Sequence, residues 1–191
     1  MSMLRKIQYN SPVVLSFALI SFLALVLGRL TGGASTMKLF CVYRASLTDP
    51  LTYVRFFGHV LGHTSFEHYI GNMLLLLVIG PSIEEKYGSA NVLKCMAVTA
   101  LITGLVQFLL FPGNALLGAS GMVFMMIILS SFAGKSEGKV PLTLILVTVL
   151  YIGNEILTGV YAGADGVSQL THVLGGACGL AMGFMLERRR A

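Results

Sequence analysis

Charged side chains are scarce in this 191-residue chain, because Asp, Glu, Lys and Arg together make up only 11% of it. Hydrophobic residues reach 55%, and the mean hydropathy is +0.83. An ordinary soluble domain contains about 25% charged residues. The scarcity of charge therefore excludes that class and predicts a membrane protein, with residues 1–191 forming one domain.

Cysteine is also rare, with three residues that show no paired spacing. Their number and spacing exclude a disulfide framework and a zinc knuckle, so we interpret Cys41, Cys95 and Cys178 as packing residues. The net charge of +5 comes without a basic patch interleaved with aromatic residues. We therefore expect no nucleic-acid partner, no metal and no cofactor.

Six apolar segments have about the 20-residue length that a membrane-spanning helix needs. They cover residues 12–30, 66–83, 92–111, 115–133, 140–160 and 167–186. The connection at 31–65 is too long for a turn, and we expect it to be interfacial and partly helical. The predicted fold is an all-α bundle of six transmembrane helices with this long first loop.

The distribution of basic residues predicts the orientation of the bundle. With the N-terminus in the cytoplasm, nine of the thirteen Lys and Arg residues lie on or near the inner side: Arg5, Lys6, Lys86, Lys94, Lys135, Lys139, Arg188, Arg189 and Arg190. Four lie on the outer side: Arg29, Lys38, Arg44 and Arg55. We therefore expect both termini to be cytoplasmic.

Three polar residues fall at similar depths in this topology. Asn72, Ser120 and His172 each lie five or six residues into segments that descend from the outer face. With a rise of about 1.5 Å per residue, all three would lie roughly 8–9 Å below the same surface. Polar groups inside a membrane are costly and point to function. The agreement in depth predicts a single site.

Ser120 and His172 supply a nucleophile and a base. A serine hydroxyl is weakly nucleophilic until a neighbouring base takes its proton. Gly118 and Gly121 leave space beside Ser120 for a substrate backbone, although a packing serine in a glycine-rich patch fits the same run. Beyond His172, the spacing of Gly175, Gly179 and Gly183 lets this helix approach another closely. If that neighbour is the Ser120 helix, the two side chains can meet.

Three short motifs occur together in the second, fourth and sixth segments. They are His68-Tyr69-Ile70-Gly71-Asn72, Gly118-Ala119-Ser120-Gly121 and His172-Val173-Leu174-Gly175. Over roughly residues 53–186, this combination resembles the rhomboid family of intramembrane serine proteases. The resemblance implies a six-helix core in a bacterial inner membrane, although the residues leave an organellar membrane open.

The resemblance also implies roles for these residues. Ser120 would be the nucleophile and His172 the general base, without a third acidic member. His68 and Asn72 would donate to an oxyanion beside the Ser120 backbone N–H, and their i, i+4 spacing lets them converge. The chain departs from the family pattern where Val54 replaces a tryptophan before Arg55, and where Phe124 replaces the tyrosine that several bacterial members place against the histidine.

Several other functions remain as alternatives of different weight. The family resemblance implies hydrolysis of single transmembrane-helix substrates near their outer ends, whereas an inactive rhomboid-like protein would bind such helices uncut. A transporter or channel would need ionisable residues along a path. A zinc protease would need His-Glu-x-x-His, which the run from His59 to His63 lacks. The oligomeric state is not predicted.

Overall fold

The structure is a computed structural model that describes residues 9–132 and 167–189, together with positions 139, 142, 143, 145, 146, 149, 150 and 153. The helices in the two continuous ranges are α1 (Pro12–Leu30), α2 (Ala34–Leu39), α3 (Pro50–Gly58), α4 (Phe66–Tyr87), α5 (Ser89–Leu110), α6 (Ser120–Ser130) and α7 (Val167–Arg188). A short 3-10 helix follows α3 at His59–Leu61. The predicted fifth segment, 140–160, lies outside the described residues except at isolated positions.

The all-helical fold class is confirmed for the described residues. Four helices, α1, α4, α5 and α7, are long and apolar enough to cross a membrane. The first loop contains α2, α3 and the 3-10 helix, which confirms that it is partly helical. The number of six spans stays a prediction.

The fourth segment is shorter than its apolar sequence predicts. A helix over 115–133 was expected, but α6 has 11 residues, about 16 Å, and Ser120 is its first residue. The reason lies at Gly118, whose φ of 126° interrupts a right-handed helix. Ser120 is therefore the first residue of its helix rather than five residues into it, so the helical rise used for its depth does not apply to residues 115–119.

Glu84 links the start of α1, the end of α4 and the start of α5. Its carboxylate accepts hydrogen bonds from the backbone N–H groups of Val13 (3.0 Å) and Val14 (3.1 Å), and from the Ser89 hydroxyl (2.7 Å). The first N–H groups of a helix have no intrahelical acceptor and carry partial positive charge. The buried Glu84 carboxylate therefore accepts from two N–H groups that have no acceptor within α1. These hydrogen bonds in turn offset the cost of burying its charge.

Arg55 holds the first loop together. Its guanidinium pairs with Asp49 at 2.8 Å, donates to the Lys38 carbonyl at 3.1 Å, and lies 4.7 Å from the centre of the Tyr43 ring. Asp49 also caps α3 by accepting from the Leu51 N–H. These bonds lower the pKa of Asp49, with the backbone bond as the larger cause and Arg55 as the second. One buried cation thus joins three parts of the loop.

Glycines bring α7 into backbone contact with α6. A β-carbon on Gly175 would collide with the carbonyl oxygen of Gly121, and one on Gly179 would collide with that of Met125. Further along, Gly183 lies against the ring of Phe132. Small residues permit this distance because packing, rather than the hydrophobic effect, holds helices together within a membrane.

We expect Glu84→Gln to lower the free energy of unfolding by about 1–3 kcal/mol, because the amide cannot satisfy all the donors that the carboxylate accepts. Thermal unfolding in detergent measures the change. Glu85→Gln is the matched control, since Glu85 is exposed on the same turn and its loss should cost less than about 0.5 kcal/mol. Equal effects of the two substitutions would contradict this role for Glu84.

We expect Gly175→Ala to destabilise the fold, because its methyl group has no space against the Gly121 backbone. The cost of such overpacking is about 1–3 kcal/mol. Gly71→Ala is the control, because among the described residues no atom outside its own helix backbone lies within 4 Å of a β-carbon at Gly71. Alanine there should stabilise the helix by about 0.5–1 kcal/mol. Gly175→Ala with wild-type stability would disprove the close contact.

Candidate active site

The N-terminal ends of α4, α6 and α7 meet at one side of the bundle. The imidazole of His68, in the first turn of α4, lies over Gly118, where an added β-carbon would be 2.9 Å from Cε1 and Nε2. Thr171 of α7 lies against Gly121, with its Cγ2 atom 3.0 Å from a β-carbon at that glycine. Both contacts flank Ser120, so residues from three helices surround one position.

Ser120 lies at the first turn of α6 and is partly exposed. The preceding residue, Ala119, is in the N-cap position and has no side chain that can accept from the first-turn N–H groups. Those N–H groups have no intrahelical acceptor and form the positive end of the helix dipole. The start of α6 therefore has N–H groups without an intrahelical acceptor beside the Ser120 hydroxyl, and this arrangement favours an anion.

The non-helical segment before Ser120 is held by neighbouring parts of the protein. Gly118 donates its N–H to the His59 carbonyl at 2.9 Å, and Leu116 and Val42 exchange backbone bonds, each 2.9 Å long. The Gln107 side chain donates to the Asn114 carbonyl at 3.0 Å. Irregular backbone at membrane depth is tolerated only where protein or a cavity satisfies it, and this segment meets that condition.

His172 lies on the Ser120 side of α7. Its ring centre is 4.6 Å from the centre of the Phe124 ring, with the two planes at 46°. Phe124 is one turn after Ser120 on α6, so the two residues share a face. His172 thus contacts Phe124, and its neighbour Thr171 contacts Gly121. The His172 side chain is partly exposed.

His68 and Asn72 lie one turn apart at the start of α4. Nδ1 of His68 is 3.2 Å from the Thr64 hydroxyl, which leaves Nε2 on the Gly118 side. Asn72 is buried and donates one amide N–H to the His68 carbonyl at 3.1 Å. The amide has a second N–H. Each side chain thus has one polar group bonded to a local partner. The other group, Nε2 of His68 or the second N–H of Asn72, is the one that can donate to a ligand.

His59 and His63 form a buried layer behind the site. His59 bonds to the Arg55 carbonyl through Nδ1 (3.1 Å) and to the Thr103 hydroxyl through Nε2 (3.2 Å). The ring of His63 packs edge-on against that of His68, with centres 5.0 Å apart. Burial lowers the pKa of each to about 4, so both rings are neutral at pH 7.

The structure places the predicted site residues in two adjoining regions, the three helix ends and the α6–α7 contact. Ser120, His172, His68, Asn72, Phe124 and glycines 118, 121, 175 and 179 all contribute to the three helix ends or to the α6–α7 contact. Sequence reasoning missed the contributions of His59 and Thr171. His59 acts through its main-chain carbonyl and Thr171 through contact with a glycine, and neither interaction has a sequence signal.

Comparisons with known proteins identify the family of the chain. A sequence model described as the rhomboid domain matches residues 50–189. The chain is 26% identical over 184 residues to the rhomboid protease GlpG of Klebsiella pneumoniae, covering 94% of this chain and 65% of that protein.

Two animal proteins are also similar. Rhomboid-related protein 2 of Mus musculus is 25% identical over 157 residues, covering 72% of this chain and 52% of the relative. Rhomboid-related protein 1 of Caenorhabditis elegans is 29% identical over 146 residues, covering 69% and 39%. The chain spans less than two thirds of the length of each of these three relatives. Because the domain match covers well over half of the chain, the chain belongs to the rhomboid family and is an integral membrane protein.

Proposed function

We propose that this protein is an intramembrane serine endopeptidase that acts through a Ser120–His172 dyad. The observation that carries the proposal is that His68 of α4 lies over Gly118 and Thr171 of α7 lies against Gly121, on either side of Ser120. His172 follows Thr171 directly, and the buried Asn72 comes one turn after His68. The hydroxyl, the two histidines and the amide each have a chemical use in acyl transfer, as nucleophile, general base or oxyanion donor.

The reaction would proceed through an acyl-enzyme. His172 takes the proton of the Ser120 hydroxyl as the oxygen attacks the carbonyl carbon of the scissile peptide bond. The tetrahedral intermediate then expels the amine, which receives that proton from His172. Water attacks the resulting ester with His172 again as base, which releases the acid product and restores Ser120. The contact with the Phe124 ring would keep the imidazole oriented between these steps.

The oxyanion would be stabilised from two directions. The Ser120 N–H, at the positive end of the α6 dipole, would donate from one side. Nε2–H of His68 and the second N–H of Asn72 would donate from the other. Because both side chains are held by Thr64 and by the His68 carbonyl, these donors need little reorganisation during the reaction.

The substrates we propose are single transmembrane helices cut near their outer ends at small residues. A helical peptide hides its carbonyl groups in hydrogen bonds, so a substrate must unwind locally to reach Ser120. Helix-weakening residues near the cleavage site should therefore favour cleavage. We place the protein in a bacterial inner membrane with both termini cytoplasmic, as the distribution of Lys and Arg predicts.

We expect the wild-type protein in liposomes to cleave a single-span reporter, and Ser120→Ala and His172→Ala to abolish that cleavage. Gel analysis of the products measures it. Ser130→Ala is the matched control at the opposite end of α6, where the hydroxyl only donates to the Ile127 carbonyl, and it should keep full activity. Failure of folded wild-type protein both to cleave and to react with a fluorophosphonate would favour the inactive, helix-binding alternative.

We expect Asn72→Ala to lower kcat by about 100- to 1,000-fold, as the loss of an oxyanion donor does. Asn91→Ala is the control, because Asn91 makes the same kind of bond, donating to the carbonyl four residues before it at 2.8 Å. Comparable losses of stability in both variants, with loss of kcat only in Asn72→Ala, would assign a role in the reaction. Comparable kcat values would assign Asn72 to packing.

A further inference from the structure

A groove far from the Ser120 side combines apolar walls with two cations. It lies between the start of α5 and the end of α7 and has a volume of about 170 Å³. Its lining includes the apolar residues Val98, Met182, Met185 and Leu186 and the cations Lys94 and Arg189. Lys94 and Arg189 are exposed, as are Val98 (43%) and Met185 (56%) on the lipid-facing surface.

Along both helices the cations lie at the helix end and apolar residues lie further in. A phospholipid has the same order, with a charged headgroup followed by acyl chains. Val98 lies one turn further along α5 than Lys94, and Met185 one turn before Arg189, so the apolar walls extend about 6 Å and more beyond the cations along both helices. A charged headgroup at the helix ends would thus continue directly into an acyl chain in the groove. A soluble anion would leave the apolar part uncovered.

The two cations have no acidic partner among the residues that the structure describes. Ion pairs there join Arg55 to Asp49 and Lys86 to Glu187. Glu187, two residues before Arg189, is held at 2.7 Å by both Lys86 and the Tyr87 hydroxyl. Its charge is therefore compensated within the protein, and the groove presents an excess of positive charge.

We propose that this groove binds an anionic phospholipid from the adjoining leaflet, with the phosphate between Lys94 and Arg189 and one acyl chain against Met182 and Val98. Basic pockets between transmembrane helices bind anionic headgroups in this way. The site is separate from Ser120 and does not depend on proteolysis. Because α7 also holds His172 at its other end, the lipid would fix the inner end of a helix that the candidate active site needs.

The absence of tryptophan from the chain allows a direct test with a single introduced fluorophore. Met185→Trp reports on the groove. Ala97→Trp reports at the level of Val98 on another position of α5, which is partly exposed and lines an apolar groove with no basic residue among its described lining. Full-length protein is reconstituted in vesicles containing brominated phosphatidylglycerol or brominated phosphatidylcholine, and the quenching of each tryptophan gives the relative binding constant.

We expect the anionic lipid to be preferred at Met185→Trp by roughly fivefold for each of the two cations, with a ratio near one at Ala97→Trp. Adding Lys94→Gln should reduce the preference about fivefold, and Lys94→Arg should keep it. Arg188→Gln is the matched control, because it removes one positive charge next to Arg189, at the same end of the bundle, from a residue that does not line the groove. It should leave the preference unchanged.

Three results would overturn the proposal. Equal quenching by the two lipids at Met185→Trp would mean that the cations only orient the protein in the membrane. Equal effects of Lys94→Gln and Arg188→Gln would mean that surface charge, rather than the groove, attracts the lipid. A rise in thermal stability in detergent that inorganic phosphate produces as well as phosphatidylglycerol would assign the site to a soluble anion.

Discussion

The contact between α6 and α7 is the constraint on which the rest of the structure depends. At Gly175 and Gly179 the two helices touch through backbone atoms, so there is no side-chain layer between them. Thr171 comes against Gly121 because of this contact, and His172 is brought next to Phe124. The position of His172 therefore depends on Gly175 and Gly179, which lie further along the same helix and have no side chain.

A second requirement comes from the membrane itself, which offers no hydrogen-bond partners to an interrupted helix. The chain meets it by using polar groups that belong to other elements. The His59 carbonyl accepts from Gly118, and the Gln107 side chain donates to the segment before Ser120. Glu84 does the same for the start of α1. The same groups that stabilise the fold thus allow α6 to begin within the protein rather than at its edge.

These two features also explain why the two ends of α4, α6 and α7 carry different polar groups. One end of α4, α6 and α7 carries partly exposed polar groups, while the opposite end carries Lys86, which pairs with Glu187 of α7 and donates to the Phe132 carbonyl. Both ends of the three helices are therefore joined, one by the candidate site and one by an ion pair. The groove at Lys94 and Arg189 lies beside this second junction.

The sequence by itself determined the membrane class, the bounds of α1 and the starts of α4 and α7, because apolar length and capping residues such as Ser65 are local properties. It also gave the family, because three motifs with fixed spacing occur together. The start of α6 was decided by tertiary structure. Apolar composition continues through residues 115–119, but Gly118 adopts a φ of 126° because the segment bonds to His59 and Val42. Those bonds join residues more than 50 positions apart through main-chain atoms, and main-chain partners leave no pattern in a sequence.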